Sequence, residues 1–260
     1  MSFTNNKDAI LKGRKTMHCP SFKGAMGESD QAKGIAAPAF SKPITGEVIK
    51  LAVPDNFDNV LATPDYHKLL DTRRSLRSYS GKAMTQAELA FMLWSAQGVQ
   101  YYRNEVATFR PVPSGGARHP FETYIAVKHV EGLEPGLYRY LPLEHVGEKS
   151  VSIERLGNIE NYETTITDML VNQAWAAKAP VILFYSCVPY RAEWRYAEAS
   201  HRVVLIDLGH VGQNVMLSAV ALGLGSCCMA AYDQELCDKA LGFDGVEEYT
   251  VYAISVGAED

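Results

Sequence analysis

The amino-acid sequence predicts an α+β fold, a three-layer α/β/α arrangement in which helices flank a mixed central sheet. Helical patterns are interspersed with a few short β-rich runs, which is typical of that class. The pattern from Ala199 to Leu222 is apolar around most of its circumference, which indicates a helix buried centrally or across a subunit interface. No linker divides the helical and β-rich part of the 260-residue chain, so we predict one domain there.

The first 60 residues differ from the rest because prolines and glycines interrupt them and little periodicity is visible. We predict an irregular N-terminal arm over residues 1–60, either a disordered leader or a strap packed against a partner, and a folded domain over residues 61–260. Within the arm, Ile49, Leu51 and Val53 alternate with polar or small residues, which favours a short strand.

The elements of the domain follow from local signals in chain order. A short helix is predicted from Asp65 to Thr72, and the sequence TQAE at 85–88 is a capping box that opens a second helix. The apolar face of that second helix is formed by Leu89, Met92, Leu93 and Ala96. Buried strands are predicted over Thr123–Val127, Val181–Ser186 and Tyr249–Val256, with a further helix near Tyr162–Trp175.

Charge is concentrated in the segment 73–79 (RRSLRSY), although the formal net charge of the chain is −5. Guanidinium groups are forked donors that match phosphate oxygens, and a serine hydroxyl adds a further donor. A local cationic cluster on an acidic chain favours one small bound anion over a nucleic-acid surface, which needs a broader basic patch. A solvated charge run at a helix end is the alternative.

Two glycine-containing segments are candidates for close approach of backbone to a ligand. The first is 112–120 (VPSGGARHP), which could equally be a turn before a strand. The second is 223–225 (GLG), which follows a helix rather than a strand and lacks the third glycine of a dinucleotide-binding loop.

The cysteines at positions 19, 187, 227, 228 and 237 form no regular framework and indicate reduced thiols. The first residues lack the apolar core of a signal peptide, and the apolar stretch 215–231 is interrupted by serine and glycine. We therefore expect a soluble, cytoplasmic protein. We expect no metal site, because His201 and His210 lie too far apart along one helix and the cysteines lack zinc spacing.

Taken together, these segments resemble the nitroreductase superfamily of flavin enzymes, and more closely its SagB-type dehydrogenase branch. The resemblance covers roughly residues 65–260. It rests on 73–79, on 113–120 (PSGGARHP), on 136–140 (GLYRY), and on 207–214 (DLGHVGQN) followed by 223–225.

The resemblance implies a homodimeric FMN-dependent oxidoreductase of the α/β/α nitroreductase fold, with flavin sites at the interface and no nucleic-acid or membrane partner. NADH or NADPH is the implied reductant, and a nitroaromatic, a quinone or a similar small molecule is the implied acceptor. The implied cofactor-binding residues are Arg73, Arg74, Ser75 and Arg77 for the phosphate, Pro113, Ser114, Gly115 and Gly116 beside the isoalloxazine, Gln213 on the interface helix, and Gly225, Met229 and Ala230 after it.

Two departures from the family pattern bear on mechanism. Many nitroreductases add a late lysine or arginine to the phosphate site, whereas this sequence reads GAED at 257–260. Azoline-oxidising relatives share a Lys-Tyr pair where this chain has Arg195 and Tyr196, our candidate catalytic residues. Arginine rarely releases its proton and is a poor general base, so a reductase or dehydrogenase is favoured over azoline oxidation, with Tyr196 as a candidate acid. The alternatives are a SagB-type azoline dehydrogenase, a flavin-binding subunit without turnover, and a phosphate-binding enzyme without flavin.

Overall fold

The computed structural model describes residues 7–16, 18 and 21–260, and the elements below belong to that part of the chain. The helices are α1 (Lys7–Thr16), α2 (Phe22–Gly27), α3 (Tyr66–Thr72), α4 (Gln86–Gln97), α5 (Tyr162–Met169), α6 (Tyr190–Tyr196), α7 (Ser200–Ala221) and α8 (Gln234–Leu241). The strands are β1 (Glu47–Lys50), β2 (Tyr101–Arg103), β3 (Ala107–Phe109), β4 (Phe121–Val127), β5 (Gly136–Tyr140), β6 (Ser152–Gly157), β7 (Val181–Cys187), β8 (Gly225–Met229) and β9 (Tyr249–Gly257).

The central sheet has seven strands in the order β1-β6-β5-β4-β7-β9-β8, and β2 and β3 form a separate hairpin. Each neighbouring pair of strands in the large sheet is antiparallel. Parallel pairing occurs in the described residues as isolated bridges, such as the one between Ser75 and Ser226. The α+β class is therefore confirmed, and the predicted mixed sheet is replaced by antiparallel pairing of the named strands.

Two hydrophobic cores lie on opposite faces of the sheet. Successive residues of a strand point to opposite faces, so Leu183 and Tyr185 of β7 join one core while Ile182 and Phe184 join the other. The first core is covered by α4 and α7, and the second is covered by α5 and α8. This arrangement confirms the three layers.

The predicted capping box forms at the start of α4. The Glu88 amide donates to Thr85 Oγ1 at 3.2 Å, and the Thr85 amide donates to Glu88 Oε2 at 2.7 Å. The predicted apolar face of α4 is buried throughout. The helix predicted near Tyr162–Trp175 is shorter than expected and ends at Met169, where residues 171 and 172 adopt positive φ angles.

The N-terminal arm is more ordered than its composition indicates, since it contains α1, α2 and β1, and β1 pairs with β6 at the edge of the sheet.

Residues 35–46 of the arm cross a set of buried charged side chains. Glu122 accepts from the Lys42 amide, and Glu154 accepts from the amides of residues 45 and 46. Glu122 also pairs with Arg191 at 2.6 Å, and Glu154 pairs with Arg139 at 2.5 Å. The predicted strand near Ile49 is confirmed, whereas the boundary at residue 60 stays a prediction, and Cys19 and Pro20 lie outside the described residues.

The helical segment Tyr190–Ala221, which contains α6 and α7, is long and apolar enough to meet a length-and-composition criterion for a membrane span. A core helix meets the same criterion, and here 44% of its most apolar window is buried within the chain. The buried side chains of α7, among them Val204, Val211 and Val215, belong to the first core.

Candidate functional site

The site residues predicted from the sequence lie along α7, which runs the length of one sheet face. One group lies beyond its C-terminal end and the other beside its N-terminal half. A helix rises about 1.5 Å per residue, so the two groups are set apart by the length of α7 itself.

The group at the C-terminal end is formed by the segment 73–77 and strand β8. The Leu76 amide donates to the Ser226 carbonyl at 2.9 Å, and Ser75 forms a parallel bridge with Ser226. A Cβ on Gly225 would lie 2.5 Å from the Leu76 side chain, so the close approach of the two segments requires glycine at 225. Tertiary contacts therefore bring the arginine-rich segment against the loop and strand that follow α7.

The arginines of this group differ in what they contact. Arg74 donates from Nη1 to the carbonyls of Asp71 and Arg73, so its guanidinium caps the C-terminal end of α3. Arg73 is half-buried, and the Arg77 guanidinium lies 5.9 Å from the centroid of the Trp175 ring. Within the described residues, neither Arg73 nor Arg77 has a carboxylate within ion-pair distance. Two uncompensated guanidinium groups are therefore held near one strand.

A cavity of about 380 Å³ adjoins this group. It is lined by Arg74, Ser75, Gly223 and Gly225 together with Glu259, which comes after β9. Glu259 therefore places a carboxylate beside this cavity. The neighbouring Met229 is buried in the second core, whereas Ala230 is exposed.

The second group is the loop at residues 113–116, which is fastened to α7 by Asp207. The Ser114 hydroxyl donates to Asp207 Oδ2 at 2.6 Å, and the Gly115 amide donates to the same carboxylate at 3.1 Å. The His119 amide donates to Ser114 Oγ at 3.0 Å and closes the turn. Burial raises the pKa of the Asp207 carboxyl, and the hydrogen bonds from Ser114 and Gly115 oppose that shift. Gly116 has a φ of +63°, which glycine adopts without strain.

Arg195 and Tyr196 lie against this same loop. A Cβ on Gly116 would be 2.5 Å from Arg195 Cδ and 2.9 Å from the Tyr196 hydroxyl oxygen, so only glycine leaves room for the pair. Arg195 Nε donates to the Tyr196 hydroxyl at 3.3 Å, and Arg195 Nη1 donates to Gln31 Oε1 at 2.9 Å. The Tyr196 ring packs edge-on against Phe22 of α2. The candidate catalytic pair is thus joined to both the glycine loop and the N-terminal arm.

The structure does not bring the two groups together within one chain. From Asp207, which holds the 113–116 loop, to Val220, which lines the cavity beside Ser75, α7 rises roughly 20 Å. Gln213 lies exposed between them, on the outer side of α7.

Sequence reasoning did not assign a role to Asp207 or Gln31. Asp207 is 4% exposed within an otherwise apolar helix, and a carboxylate in such a position is a usable signal because burial of an unpaired charge is costly. Gln31 gives no such signal, since its partner is 164 residues away in the sequence.

The model of the family described as "Nitroreductase family" matches residues 70–258. The chain belongs to the nitroreductase family. That family usually binds FMN, and its match begins just before the arginine-rich segment and ends just after β9.

The chain is 33% identical over 214 residues to the nitroreductase homologue MJ1384 of Methanocaldococcus jannaschii, which covers 82% of this chain and 98% of that relative. It is 30% identical over 154 residues to the trifolitoxin-processing protein TfxB of Rhizobium leguminosarum, covering 56% of this chain and 39% of TfxB. It is 26% identical over 139 residues to the microcin B17-processing protein McbC of Escherichia coli, covering 52% of this chain and 49% of McbC. The matches to TfxB and McbC support the SagB-type branch.

Two solved structures share the fold. A nitroreductase homologue from Anabaena variabilis superimposes with a TM-score of 0.63 at 23% identity, over 85% of this chain and 45% of that one. A chain of the E. coli microcin synthetase McbBCD complex, solved with truncated pro-MccB17 bound, superimposes with a TM-score of 0.58 at 19% identity, over 99% of this chain and 95% of that one.

Proposed function

We propose that this protein is a homodimeric, cytoplasmic FMN-dependent oxidoreductase that passes hydride or electrons from NADH or NADPH to a small organic acceptor. The observation that carries the proposal is the cluster of Arg73, Ser75 and Arg77 against β8, whose guanidinium groups have no carboxylate partner among the described residues. Such a donor set fits a phosphate group, which arginine binds through charge-assisted hydrogen bonds.

The dimer is supported by the position of the second group. Leu205 and Ile206 of α7 are 56% and 51% exposed, which leaves an apolar strip on the helix uncovered within one chain. A two-fold axis that packs α7 against its own copy in antiparallel orientation would place the 113–116 loop of one chain near segment 73–77 of the other. Each FMN would then have its phosphate held by one protomer and its ring flanked by the loop of the partner.

FMN, when bound, supplies the hydride and electron transfer chemistry. Arg73 and Arg77 neutralise the phosphate, and Ser75 adds a hydroxyl donor. Asp207 fixes the 113–116 loop in place through two donors, so the glycine backbone is preorganised rather than ordered on binding.

The proposal is tested first by the visible spectrum of the purified protein, which should show the two absorption bands of oxidised flavin. Under anaerobic conditions, NADH or NADPH should bleach those bands, and a nitroaromatic or quinone should restore them. A protein that remains colourless after incubation with FMN and gel filtration would refute the flavin assignment. A coloured protein that no nicotinamide reduces would refute NAD(P)H linkage alone.

A second candidate is a subunit of a peptide-modification complex, acting as a SagB-type azoline dehydrogenase or as a flavin-binding scaffold. Similarity to TfxB and McbC, and to a chain of the McbBCD complex, favours it. Arg195 weighs against the dehydrogenase, because a guanidinium is a poor acceptor for a proton taken from carbon. Multiple turnovers of a quinone by the isolated protein would favour the oxidoreductase over a scaffold.

A further inference from the structure

We propose that Arg195 recognises a negatively charged substrate, an acceptor that carries a carboxylate beside its reducible group. This inference rests on the proposed function, because it assigns the class of substrate for the same site. It rests on three observations: the neutral hydrogen-bond partners of Arg195, the lack of a described carboxylate within ion-pair distance of it, and its position beside Gly116.

Neutral partners hold Arg195. Nη1 donates to the side-chain amide oxygen of Gln31 at 2.9 Å, Nε donates to the Tyr196 hydroxyl at 3.3 Å, and the guanidinium carbon lies 5.6 Å from the centroid of the Tyr196 ring. These contacts fix the plane of the guanidinium without cancelling its charge. The Nη2 edge has no hydrogen bond to a described residue.

Three other arginines of the chain have structural roles, and they differ from Arg195 in burial and in hydrogen-bond partners. Arg139 and Arg191 are each buried and each paired with a buried glutamate, Glu154 and Glu122 respectively. Arg118 is 1% exposed, donates to main-chain carbonyls, and lies against aromatic rings. Arg195 is half-exposed, and among the described residues no carboxylate lies within ion-pair distance of it.

The nearby carboxylate of Glu193 does not change this balance. Its Oε1 lies 3.5 Å from Nε2 of His201, and both residues line a cavity to which Arg195 does not contribute. The positive charge of Arg195 is therefore available at the surface of the 113–116 loop.

The position of that charge selects the ligand. Arg195 Cδ is so close to Gly116 that a Cβ there would be 2.5 Å away, so the guanidinium borders the loop proposed to flank the isoalloxazine. A fixed, forked cation next to the ring site matches a carboxylate, which accepts two parallel N–H bonds from arginine. A neutral quinone or nitro group accepts weaker hydrogen bonds from the guanidinium than a carboxylate does, because it carries no net charge.

Binding of benzoate and of benzamide tests the inference, because the two are alike in shape and differ in charge. Both are titrated calorimetrically into the oxidised, FMN-loaded protein, and their dissociation constants are compared. We expect the parent protein to bind benzoate at least tenfold more tightly than benzamide, as a charge-assisted pair requires. In Arg195→Met that preference should disappear, and in Arg195→Lys part of it should remain.

Gln31→Glu is the decisive variant, since it places a carboxylate against Nη1 without removing Arg195. If Arg195 only supports the fold, the new ion pair leaves the benzoate preference intact. If it recognises an anion, the preference falls roughly tenfold or more because the charge is already neutralised. Arg155→Met is the matched control, because Arg155 lies on β6 and bonds Asn158, and it should keep the parent preference.

Turnover separates this inference from the proposed function. The parent should reduce 4-nitrobenzoate with a higher kcat/KM than 4-nitrobenzamide, and Arg195→Met should remove that difference mainly through KM. Failure to reduce either compound refutes the oxidoreductase proposal. Reduction of both with equal kcat/KM, or equal affinity of the parent protein for benzoate and benzamide, overturns the assignment of Arg195.

Discussion

Replacing Arg73 with alanine should weaken the affinity for FMN and leave the affinity for riboflavin almost unchanged. Arg73 is half-buried at the end of α3, beside β8, and no described carboxylate competes for its guanidinium. A hydrogen bond to a charged group contributes about 1.5–3 kcal/mol, and about 1.4 kcal/mol corresponds to a factor of ten in affinity. We therefore expect the Kd for FMN to rise roughly 10- to 150-fold.

Quenching of flavin fluorescence on titration with apoprotein measures both affinities. Riboflavin lacks the phosphate, so its Kd should change by no more than about twofold. Arg155→Ala is the matched control, because Arg155 lies on β6, bonds Asn158 and is separated from β8 by four strands, and we expect less than about a threefold change. An equal loss of affinity for FMN and riboflavin in Arg73→Ala, or an equal effect of the two substitutions on FMN, would show that the segment does not hold the phosphate.

Three further predictions concern the dimer, the catalytic pair and stability. Light scattering should give about twice 28.7 kDa for the parent protein. The double variant Leu205→Glu/Ile206→Glu should be a monomer that no longer retains FMN. The control variant Leu236→Glu, at a similarly exposed position on α8, should remain dimeric. Tyr196→Phe should reduce a neutral quinone within about fivefold of the parent rate, and a hundredfold collapse with FMN still bound would instead identify a general acid. Burial and the charge of Arg110 lower the pKa of His119 to about 2, so the unfolded state takes up the proton first as the pH falls below about 6.5. Urea unfolding should therefore show that His119 costs the protein about 2 kcal/mol of unfolding free energy between pH 7 and pH 5. The unfolding free energy of His119→Asn should fall by about 2 kcal/mol less over the same range. An identical fall in both proteins would contradict the assignment.

Much of the fold could be predicted because its signals are local. The capping box at Thr85 and Glu88 needs only residues three apart, and both of its hydrogen bonds form. β4 and β7 are buried along their whole length and β9 is buried along its second half, and all three are rich in β-branched and aromatic residues, which is the local signal for a strand. The direction in which those strands pair has no local signal, and the predicted mixed sheet was wrong for the named strands, which pair antiparallel.

The arm shows the limit of composition as a guide. Its prolines and glycines indicate irregular backbone, yet the strap at 35–46 is held by buried Glu122 and Glu154. A hydrogen bond to a charged group contributes about 1.5–3 kcal/mol, so these contacts make the strap part of the fold. They join residues about 80 to 109 positions apart, which no periodicity within the arm reveals.

The sequence by itself predicted α3, α4 and α7 and the strands β1, β4, β7 and β9, because propensity and capping depend on neighbouring residues. It also indicated a candidate anion-binding segment at 73–77, which stays a prediction. It also carried the family resemblance through ordered motifs. Only the tertiary structure decided that the two halves of the candidate site stand roughly 20 Å apart along α7. It alone decided that Arg195 is held by Gln31 and Tyr196 and has no carboxylate partner among the described residues. The physical reason is that hydrogen bonds and charge compensation depend on distance in space. The fold brings together groups that the sequence separates by more than 100 residues, such as Gln31 with Arg195 and the Thr45 amide with Glu154.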